Sequence, residues 1–339
     1  MSDLRTAKWR SRLKAALPYL IALGVVVALV LAVDPQRFAA AASRFNPAYA
    51  PIVAAFSFGY YLLQGVRWQP LLLAVGARLR LRDTVILNFA GQAAGLLPGG
   101  ELTRAVLVSE VAHVKVGAAI ATITVQELIY TVLLIAAAVP GALHHTVAAI
   151  GVSIALAGVL VITGILTVQP VFEKVVALVR RIPLLQRFVP DLMELQRDTV
   201  RLLGRWDTLS WTAVSALQAV GTITMFWLVI QAIDPGRVSW PNAAFAYTVA
   251  AIAGALSLAP GGLGGFEAVG VGMLIVVGVP FQIAVAATVL QRAADKGLGT
   301  IYGAVAYVYA RQHYGLRKAR VIRHGQRRGR PPAGRPDAA

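Results

Sequence analysis

Two glycine-rich breaks inside apolar sequence decide the fold of this chain. Residues 88–104 read NFAGQAAGLLPGGELTR, and residues 256–267 read LSLAPGGLGGFE. Proline and glycine interrupt helical hydrogen bonding, and inside a membrane the freed backbone groups must be buried in protein or line a wet cavity. The surrounding apolar segments, 84–112 and 243–279, are therefore each predicted to form a re-entrant helical hairpin that enters and leaves the membrane on one face.

The composition places the rest of the chain in a membrane as well. The protein has 339 residues, of which 58% are hydrophobic and 14% are charged. Because soluble domains have about 25% charged residues, a soluble enzyme is excluded. The sequence contains no cysteine, which excludes disulfides, Cys-ligated metal sites and thiol nucleophiles.

Six apolar runs are long enough to cross a hydrocarbon core of about 30 Å, which takes about 20 helical residues. They lie at residues 17–33, 48–73, 116–139, 147–168, 209–233 and 281–309. We expect the first run to be an uncleaved membrane helix rather than a signal peptide, because further spans follow it. The predicted fold is an all-α, polytopic membrane helix bundle with six full spans and two re-entrant hairpins.

The positions of the basic residues predict the orientation of the chain. If the N-terminus lies in the cytoplasm, three of the 32 Lys and Arg residues fall in outer loops, namely Arg37, Arg44 and Arg237. Four more lie within apolar segments, and the rest lie on the inner side. The positive-inside rule therefore predicts both termini in the cytoplasm, whether or not each hairpin arm crosses fully.

The sequence divides into three parts. Residues 1–16 form a cytoplasmic N-terminal tail, residues 17–310 form the membrane domain, and residues 311–339 form a basic tail that is predicted to be disordered. This tail favours attraction to anionic lipid over nucleic-acid binding. Within the membrane domain, residues 169–208 contain acidic residues at capping-box spacing followed by leucines near helical period. This pattern predicts a short amphipathic helix on the cytoplasmic membrane surface.

The two breaks also share their wider context. Glu101 and Glu267 each follow a Pro-Gly-Gly sequence, and Glu127 and Arg292 follow them at nearly the same spacing. On the predicted orientation the first hairpin opens from the cytoplasm and the second from the opposite face. That arrangement is typical of transporters with inverted repeats. The alternative is a chance likeness between glycine-rich apolar helices.

The helix restarts after the breaks are candidate anion sites. A restarting helix presents unpaired N–H groups and the positive end of its dipole at membrane depth, where phosphate or carboxylate binds well. Glu101 and Glu267 at the restarts are either caps of the dipole or groups that contact a cation or carry a proton. Arg104 either pairs with Glu101 at i, i+3 or binds an anion.

The last apolar run carries Arg292, Asp295 and Lys296 near the predicted midplane. An unpaired charge at that depth costs about 2.5–3.5 kcal/mol, so the cluster must face protein or water. The spacing lets Asp295 neutralise one of the two cations, and Glu127 is the natural opposite charge. The cluster is either a structural network or part of a polar pathway. Arg67 lies nearer to the end of its span, where snorkelling to the interface is the alternative to a site.

The sequence at these positions resembles the flippase-like membrane domain of the lysylphosphatidylglycerol synthase family, the multiple peptide resistance factors. The matching stretches are Arg67-Trp68, residues 96–104, residues 258–267 and Gln291-Arg292. The likeness extends over residues ~15 to 310. It implies either translocation across the cell membrane of a prokaryote or binding, and the ligand is an anionic or headgroup-modified phospholipid or a polyprenyl-phosphate-linked lipid.

The chain departs from this family in two respects. The family often has Glu-Arg followed by Asp in the span after the first hairpin, whereas residues 127–130 here read ELIY and retain only the acid. The aminoacyl-transferase domain of the full synthases has no counterpart, so we expect no lysyl transfer and predict that the chain is not an enzyme. An intramembrane enzyme acting on a lipid phosphate and an accessory membrane subunit for lipid or glycan synthesis are the alternatives.

The candidate substrate-binding residues belong to the two breaks or are charges at membrane depth. They are Arg67, Pro98, Gly99, Gly100, Glu101, Arg104, Glu127, Pro260, Gly261, Gly262, Gly264, Gly265, Glu267, Arg292, Asp295 and Lys296. No catalytic or metal-binding residue is predicted, because no histidine lies in a predicted full span and no nucleophile and base stand at a recognisable spacing. We expect no cofactor, nucleotide or nucleic acid. The expected partners are membrane lipids, and the sequence also allows a homo-oligomer or a lipid-modifying enzyme as a partner.

Overall fold

The structure is a computed structural model, and it describes residues 35–95, 100–143, 146–181, 186, 189–205, 211–257 and 260–315. These described residues form helices and turns without any strand, which confirms the predicted all-α bundle. The predicted span 17–33 and the N-terminal tail lie outside the described residues, as does the C-terminal tail beyond residue 315.

The first half of the chain contains two long helices and a broken pair between them. Its helices are α1 (Pro35–Ala42), α2 (Ala50–Ala74), α3 (Leu81–Gln92), α4 (Thr103–Ala112) and α5 (Val116–Ala142). The long helices α2 and α5 coincide with two predicted spans. We call α3 and α4 the first helix pair. A 3₁₀ turn at Gly100–Leu102 leads into α4 at the break that the sequence predicted.

The middle of the chain contains α6 (Thr146–Thr167), which matches a predicted span, followed by α7 (Gln169–Arg180) and α8 (Val189–Leu203). The prediction of one short amphipathic helix in this region is wrong in number, because two helices form. Their apolar faces meet through Phe172, Val176 and Val189. The acid expected to begin the helix, Asp191, lies inside α8. Helix α8 packs against α5 and α6.

The second half repeats the order of a long helix, a broken pair and a long helical stretch. Its helices are α9 (Thr212–Ile233), α10 (Trp240–Leu256), α11 (Gly265–Val276), α12 (Phe281–Arg292) and α13 (Leu298–Tyr314). We call α10 and α11 the second helix pair, and a 3₁₀ turn at Pro260–Gly262 lies between them. A π-helical segment, Ala293–Gly297, joins α12 to α13, so the last predicted span is one helix with a local change of register.

Three helical segments among the described residues are long and apolar enough to cross a membrane, and these are Val116–Ala142, Ala149–Thr167 and Ala213–Ile233. Helix α2 has 25 residues and therefore a length of about 37 Å, but it carries Gln64, Arg67 and Gln69. A membrane-embedded helical protein follows from these segments. The full set of six spans and the re-entrant path of the two pairs stay predictions.

The two halves of the chain are interlocked. The first helix pair packs on α13 of the second half through α3, and the second pair packs on α5 of the first half through α10. Helices α2 and α9, one from each half, also contact each other. Where α13 crosses α3, Gly303 permits the approach, because a Cβ atom there would lie 2.3 Å from the backbone nitrogen of Ala93.

Candidate functional site

The two breaks meet each other in the fold. The turns Gly100–Leu102 and Pro260–Gly262 approach with Cα atoms within 8 Å. Glycine is required on both sides of this contact. A Cβ atom on Gly100 would lie 1.5 Å from the carbonyl oxygen of Ala94. In the second turn Gly261 has φ 58°, in the left-handed region that glycine adopts without strain.

The second helix pair is tied to α12 by a buried ion pair. Glu267 caps the start of α11, because its Oε2 accepts a 2.6 Å hydrogen bond from the backbone N–H of Gly264. Its Oε1 accepts another of 2.6 Å from Nε of Arg292, and Nη2 of Arg292 donates to the carbonyl of Gly261 at 2.7 Å. The guanidinium also lies 4.5 Å from the ring centroid of Phe266. Of the roles proposed for Glu267, the geometry supports the cap, with the arginine as its partner.

The first helix pair is tied to α5 by a second ion pair. Nη2 of Arg104 donates to Oε1 of Glu127 at 2.8 Å, and Nη1 donates to the side-chain oxygens of Asn88 and Gln126 at 3.3 and 3.2 Å. The guanidinium lies 5.4 Å from the ring centroid of Trp68. The Arg104 side chain is 7% exposed, whereas that of Glu127 is 43% exposed. This half-exposed carboxylate is the accessible member of the two ion pairs.

The partner expected for Glu127 was therefore wrong. The sequence suggested that this acid balances the cations of the last span, but it pairs with Arg104 of the first helix pair. Spacing along one helix predicts which residues share a face and leaves open which neighbouring helix faces them. The suggested pairing of Arg104 with Glu101 is not tested, because the side chain of Glu101 lies outside the described residues.

The last span places its remaining charges differently from the prediction. Asp295 was expected to neutralise Arg292 or Lys296, but its Oδ1 and its carbonyl accept hydrogen bonds from Oη of Tyr61 at 2.9 and 3.2 Å. The π-helical segment changes the register at these residues, which a regular i, i+4 count does not anticipate. Lys296 is partly buried, and no described carboxylate lies within ion-pair distance of its ammonium group.

Arg67 is buried rather than snorkelling. It is 3% exposed, and its Nη1 and Nη2 donate to Oγ of Ser215 at 2.6 Å and to the carbonyl of Gln126 at 3.1 Å. Next to it, Nε1 of Trp68 donates to Oγ1 of Thr122 at 2.7 Å. The neighbouring residues Arg67 and Trp68 thus connect α2 to both α5 and α9.

A network of buried amides was not predicted from the sequence. Nδ2 of Asn88 donates to the carbonyl of Tyr61 at 2.9 Å and to Oε1 of Gln64 at 3.2 Å. Nε2 of Gln126 donates to the carbonyl of Gln64 at 2.7 Å. The available signal was the presence of uncharged amides inside apolar runs, since such groups at membrane depth usually hydrogen-bond across helices. The network holds the acceptors that Arg104 uses.

Some candidate residues are placed only in part. Pro98 and Gly99 lie outside the described residues, and for Pro260 only the backbone is described. Gly262, Gly264 and Gly265 form the second turn and the start of α11, where Gly262 packs against the backbone of Gly254. Within the described residues, no cluster of three or more His, Cys, Asp or Glu side chains could hold a metal ion.

Comparison with known proteins gives one family. The family model for the lysylphosphatidylglycerol synthase TM region matches residues 16–303. That range includes both helix pairs, the contact between their turns and both ion pairs. No curated protein matches the chain.

Proposed function

The chain belongs to the family of the lysylphosphatidylglycerol synthase transmembrane region, and from that premise we propose that it binds an anionic or headgroup-modified lipid and moves the headgroup across the cell membrane. The lipid is a phospholipid or a polyprenyl-phosphate-linked lipid. In this proposal the chain is a carrier of lipid rather than an enzyme, and both of its termini lie in the cytoplasm.

The observation that carries the proposal is the meeting of the two broken helix pairs beside two ion pairs. Charges at membrane depth are costly unless they are paired or face water, and helix restarts supply N–H donors at the same depth. Here the turns lie within 8 Å of each other between Cα atoms, and Glu127 keeps nearly half of its side chain accessible. A polar headgroup would find both signs of charge and backbone donors in one place.

The internal order of the helices supports an inverted repeat as the frame for this movement. In the proposed repeat, α2, the first helix pair and α5 correspond to α9, the second helix pair and the helix from α12 to α13. The cross-contacts are reciprocal, since each helix pair packs on the last helix of the other unit. Two units of opposite orientation would give the headgroup equivalent routes from the two leaflets.

The paired charges suggest how the headgroup would be held. A phosphate would compete with Glu127 for the guanidinium of Arg104, because Arg104 donates only one hydrogen bond to this half-exposed carboxylate. The released carboxylate could then pair with a cationic part of the headgroup. The acyl or prenyl chains would stay in the lipid phase throughout, so no hydrophobic surface would enter the polar centre.

A translocation assay with purified protein tests the proposal. Proteoliposomes would contain a phosphatidylglycerol with a fluorescent acyl chain, and a membrane-impermeant reductant would quench the probe in the outer leaflet. We expect wild type to make the inner-leaflet probe accessible faster than protein-free vesicles. Glu127→Gln should lower that rate about tenfold, because the exchangeable partner of Arg104 loses its charge.

The matched control is Glu194→Gln, which removes a carboxylate whose ion pair with Lys115 lies on α8 and at the start of α5. This variant should move the lipid at the wild-type rate. Wild type no faster than empty vesicles, or Glu127→Gln as fast as wild type in a folded sample, would contradict the proposal.

A further inference from the structure

A cavity of about 430 Å³ lies apart from the contact between the two turns. It is lined by the end of α2, the middle of α5, the residues around the start of α9 and Arg205, which follows α8. Its size falls within the range of about 300–1,000 Å³ that is usual for pockets that bind small ligands.

Two arginines are among the described residues that line this cavity. Arg67 and Arg205 both line it, together with the polar side chains of Gln126 and Ser215, and no acidic residue is among its described lining residues. No described carboxylate lies within ion-pair distance of Arg67, which is 3% exposed. Its Nε, moreover, has no hydrogen-bond partner among the described residues. A buried arginine whose described hydrogen-bond partners are all neutral favours an anion beside it.

One wall of the cavity is apolar and continues to the outside of the bundle. Helix α2 contributes Leu71, Leu73 and Ala74, and Leu73 is 50% exposed. Trp211, which also lines the cavity, is of the residue type that favours the membrane interface. A free inorganic anion would gain nothing from this wall, whereas a lipid could lay its chains along Leu73 while its phosphate lies at the arginines.

We propose that this cavity, here called the Arg67 cavity, binds the phosphate of one anionic membrane lipid. Arg67 and Arg205 supply the charge, Ser215 adds a hydroxyl, and the apolar wall of α2 receives the start of the chains. The site goes beyond the proposed function, because it holds a lipid at equilibrium whether or not the chain moves lipids.

The Arg67 cavity is nevertheless connected to the ion pair of the first helix pair through one residue. The carbonyl of Gln126 accepts from Arg67, and the side-chain oxygen of Gln126 accepts from Arg104. A ligand that draws Arg67 toward the cavity therefore acts on the same residue that holds Arg104. This contact gives the bound lipid a route to influence the polar centre without entering it.

Equilibrium binding to the full chain tests the site. Purified protein in detergent would be titrated with phosphatidylglycerol, with phosphatidylcholine and with inorganic phosphate, and bound ligand would be counted by native mass spectrometry. We expect phosphatidylglycerol to bind about tenfold more tightly than phosphatidylcholine, since the net charge of the headgroup decides the contact with the arginines. Inorganic phosphate should neither bind nor displace the lipid.

Four variants locate the binding. Arg205→Gln should weaken the binding of one phosphatidylglycerol about tenfold, and Ala74→Phe, which fills the cavity from the α2 wall, should remove one phosphatidylglycerol from the bound count. Arg78→Gln removes an exposed arginine outside the cavity lining and should bind as wild type does. Arg67→Gln should weaken binding as well. Because Arg67 is buried, this variant is interpreted only if it unfolds at the same temperature as wild type. The variants Arg205→Gln and Ala74→Phe therefore decide.

The site is overturned if Arg205→Gln and Ala74→Phe both retain wild-type binding, if phosphatidylcholine binds equally well, or if inorganic phosphate displaces the lipid. These outcomes are separate from those of the translocation assay. Lipid movement without binding in the Arg67 cavity would refute only this site, and binding here without movement would refute only the proposed function.

Discussion

The two ion pairs beside the breaks have the same components in opposite positions. In the first half the arginine, Arg104, lies on the helix after the break and its acid, Glu127, lies on the next long helix. In the second half the acid, Glu267, follows the break and Arg292 lies on the next helix. The side chains of the second pair are 10% and 14% exposed, whereas Glu127 is 43% exposed. We call Glu267–Arg292 the closed pair and Arg104–Glu127 the open pair.

The difference follows from how many contacts each carboxylate makes. Glu267 uses both oxygens, one for a backbone N–H and one for Arg292, and Arg292 also bonds to the carbonyl of Gly261. Glu127 uses one side-chain oxygen for Arg104. A carboxylate with an oxygen that bonds to no described group can exchange its partner, so the closed pair fixes the turn and the open pair is suited to a ligand.

Breaking the closed pair should have the largest effect on stability. Glu267→Gln leaves Arg292 buried without its counter-charge and weakens the cap of α11, so we expect the free energy of unfolding to fall by about 3–5 kcal/mol. Chemical denaturation of the purified protein in detergent, followed by tryptophan fluorescence, measures this change.

The double variant Glu267→Gln with Arg292→Gln serves as the control for that experiment. It removes both charges and should recover part of the loss, because no uncompensated charge remains. A single variant as stable as wild type would mean that the pair is not buried in the membrane-embedded protein, and the contrast between the two pairs would disappear.

Breaking the open pair from its arginine side should cost less. Arg104→Gln removes a charge-assisted hydrogen bond while the remaining partner, Glu127, is already half-exposed. The expected loss is about 1.5–3 kcal/mol, the usual range for hydrogen bonds to charged groups. The same denaturation measurement checks it, and a loss as large as that of Glu267→Gln would show that the two pairs are equally closed.

The hydrogen bond that joins the halves should have a smaller effect. Tyr61 on α2 donates to Asp295 in the π-helical segment, and Tyr61→Phe removes that donor while keeping the ring. We expect a loss of about 1–2 kcal/mol in the free energy of unfolding. A double-mutant cycle with Asp295→Asn measures the coupling directly, and independent effects of the two substitutions would argue against the contact.

The exposed pair between Lys115 and Glu194 should have the smallest effect. Lys115 is 78% exposed, so Lys115→Gln should change the free energy of unfolding by less than about 1 kcal/mol. The same titration at high salt should give wild type and variant the same free energy of unfolding, because salt screens such a pair. A loss comparable to that of Arg104→Gln would contradict the expectation that more exposed ion pairs contribute less to stability, on which the comparison depends.

Much of the architecture could be predicted from the sequence because it depends on local chemistry. Runs of apolar residues predicted the long helices α2 and α5 and showed that the last span carries charges. Proline and glycine predicted the two breaks. The π-helical segment at Ala293–Gly297 could not be predicted in this way, because a sequence pattern with a regular period contains no sign of a one-residue change of register.

The partners of the charged residues were harder to predict than their depth. The burial cost requires every charge at membrane depth to be compensated, but it leaves the partner open. On sequence grounds Glu127 was expected to face the cations of the last span, whereas in the packed structure it pairs with Arg104. The side-chain oxygens of Asn88 and Gln126 complete that choice, since both accept hydrogen bonds from the arginine, and Gln64 in turn accepts from both of these amides.

The most direct test of the central claim is to lock the two turns together and measure lipid movement. Leu102 lies in the first turn and is 46% exposed, and Leu263 directly follows the second. Because the chain has no cysteine, Leu102→Cys with Leu263→Cys can be joined by a short thiol-specific crosslinker that a reductant cleaves. Leu102→Cys alone, treated with the same reagent, is the control.

If headgroups pass where the helix pairs meet, the crosslinked protein should lose translocation in the proteoliposome assay. Cleavage of the crosslinker should restore it, while the single-cysteine control stays active throughout. A crosslinked protein that moves lipid at the rate of the uncrosslinked one would contradict the claim that the lipid headgroup passes between the two breaks.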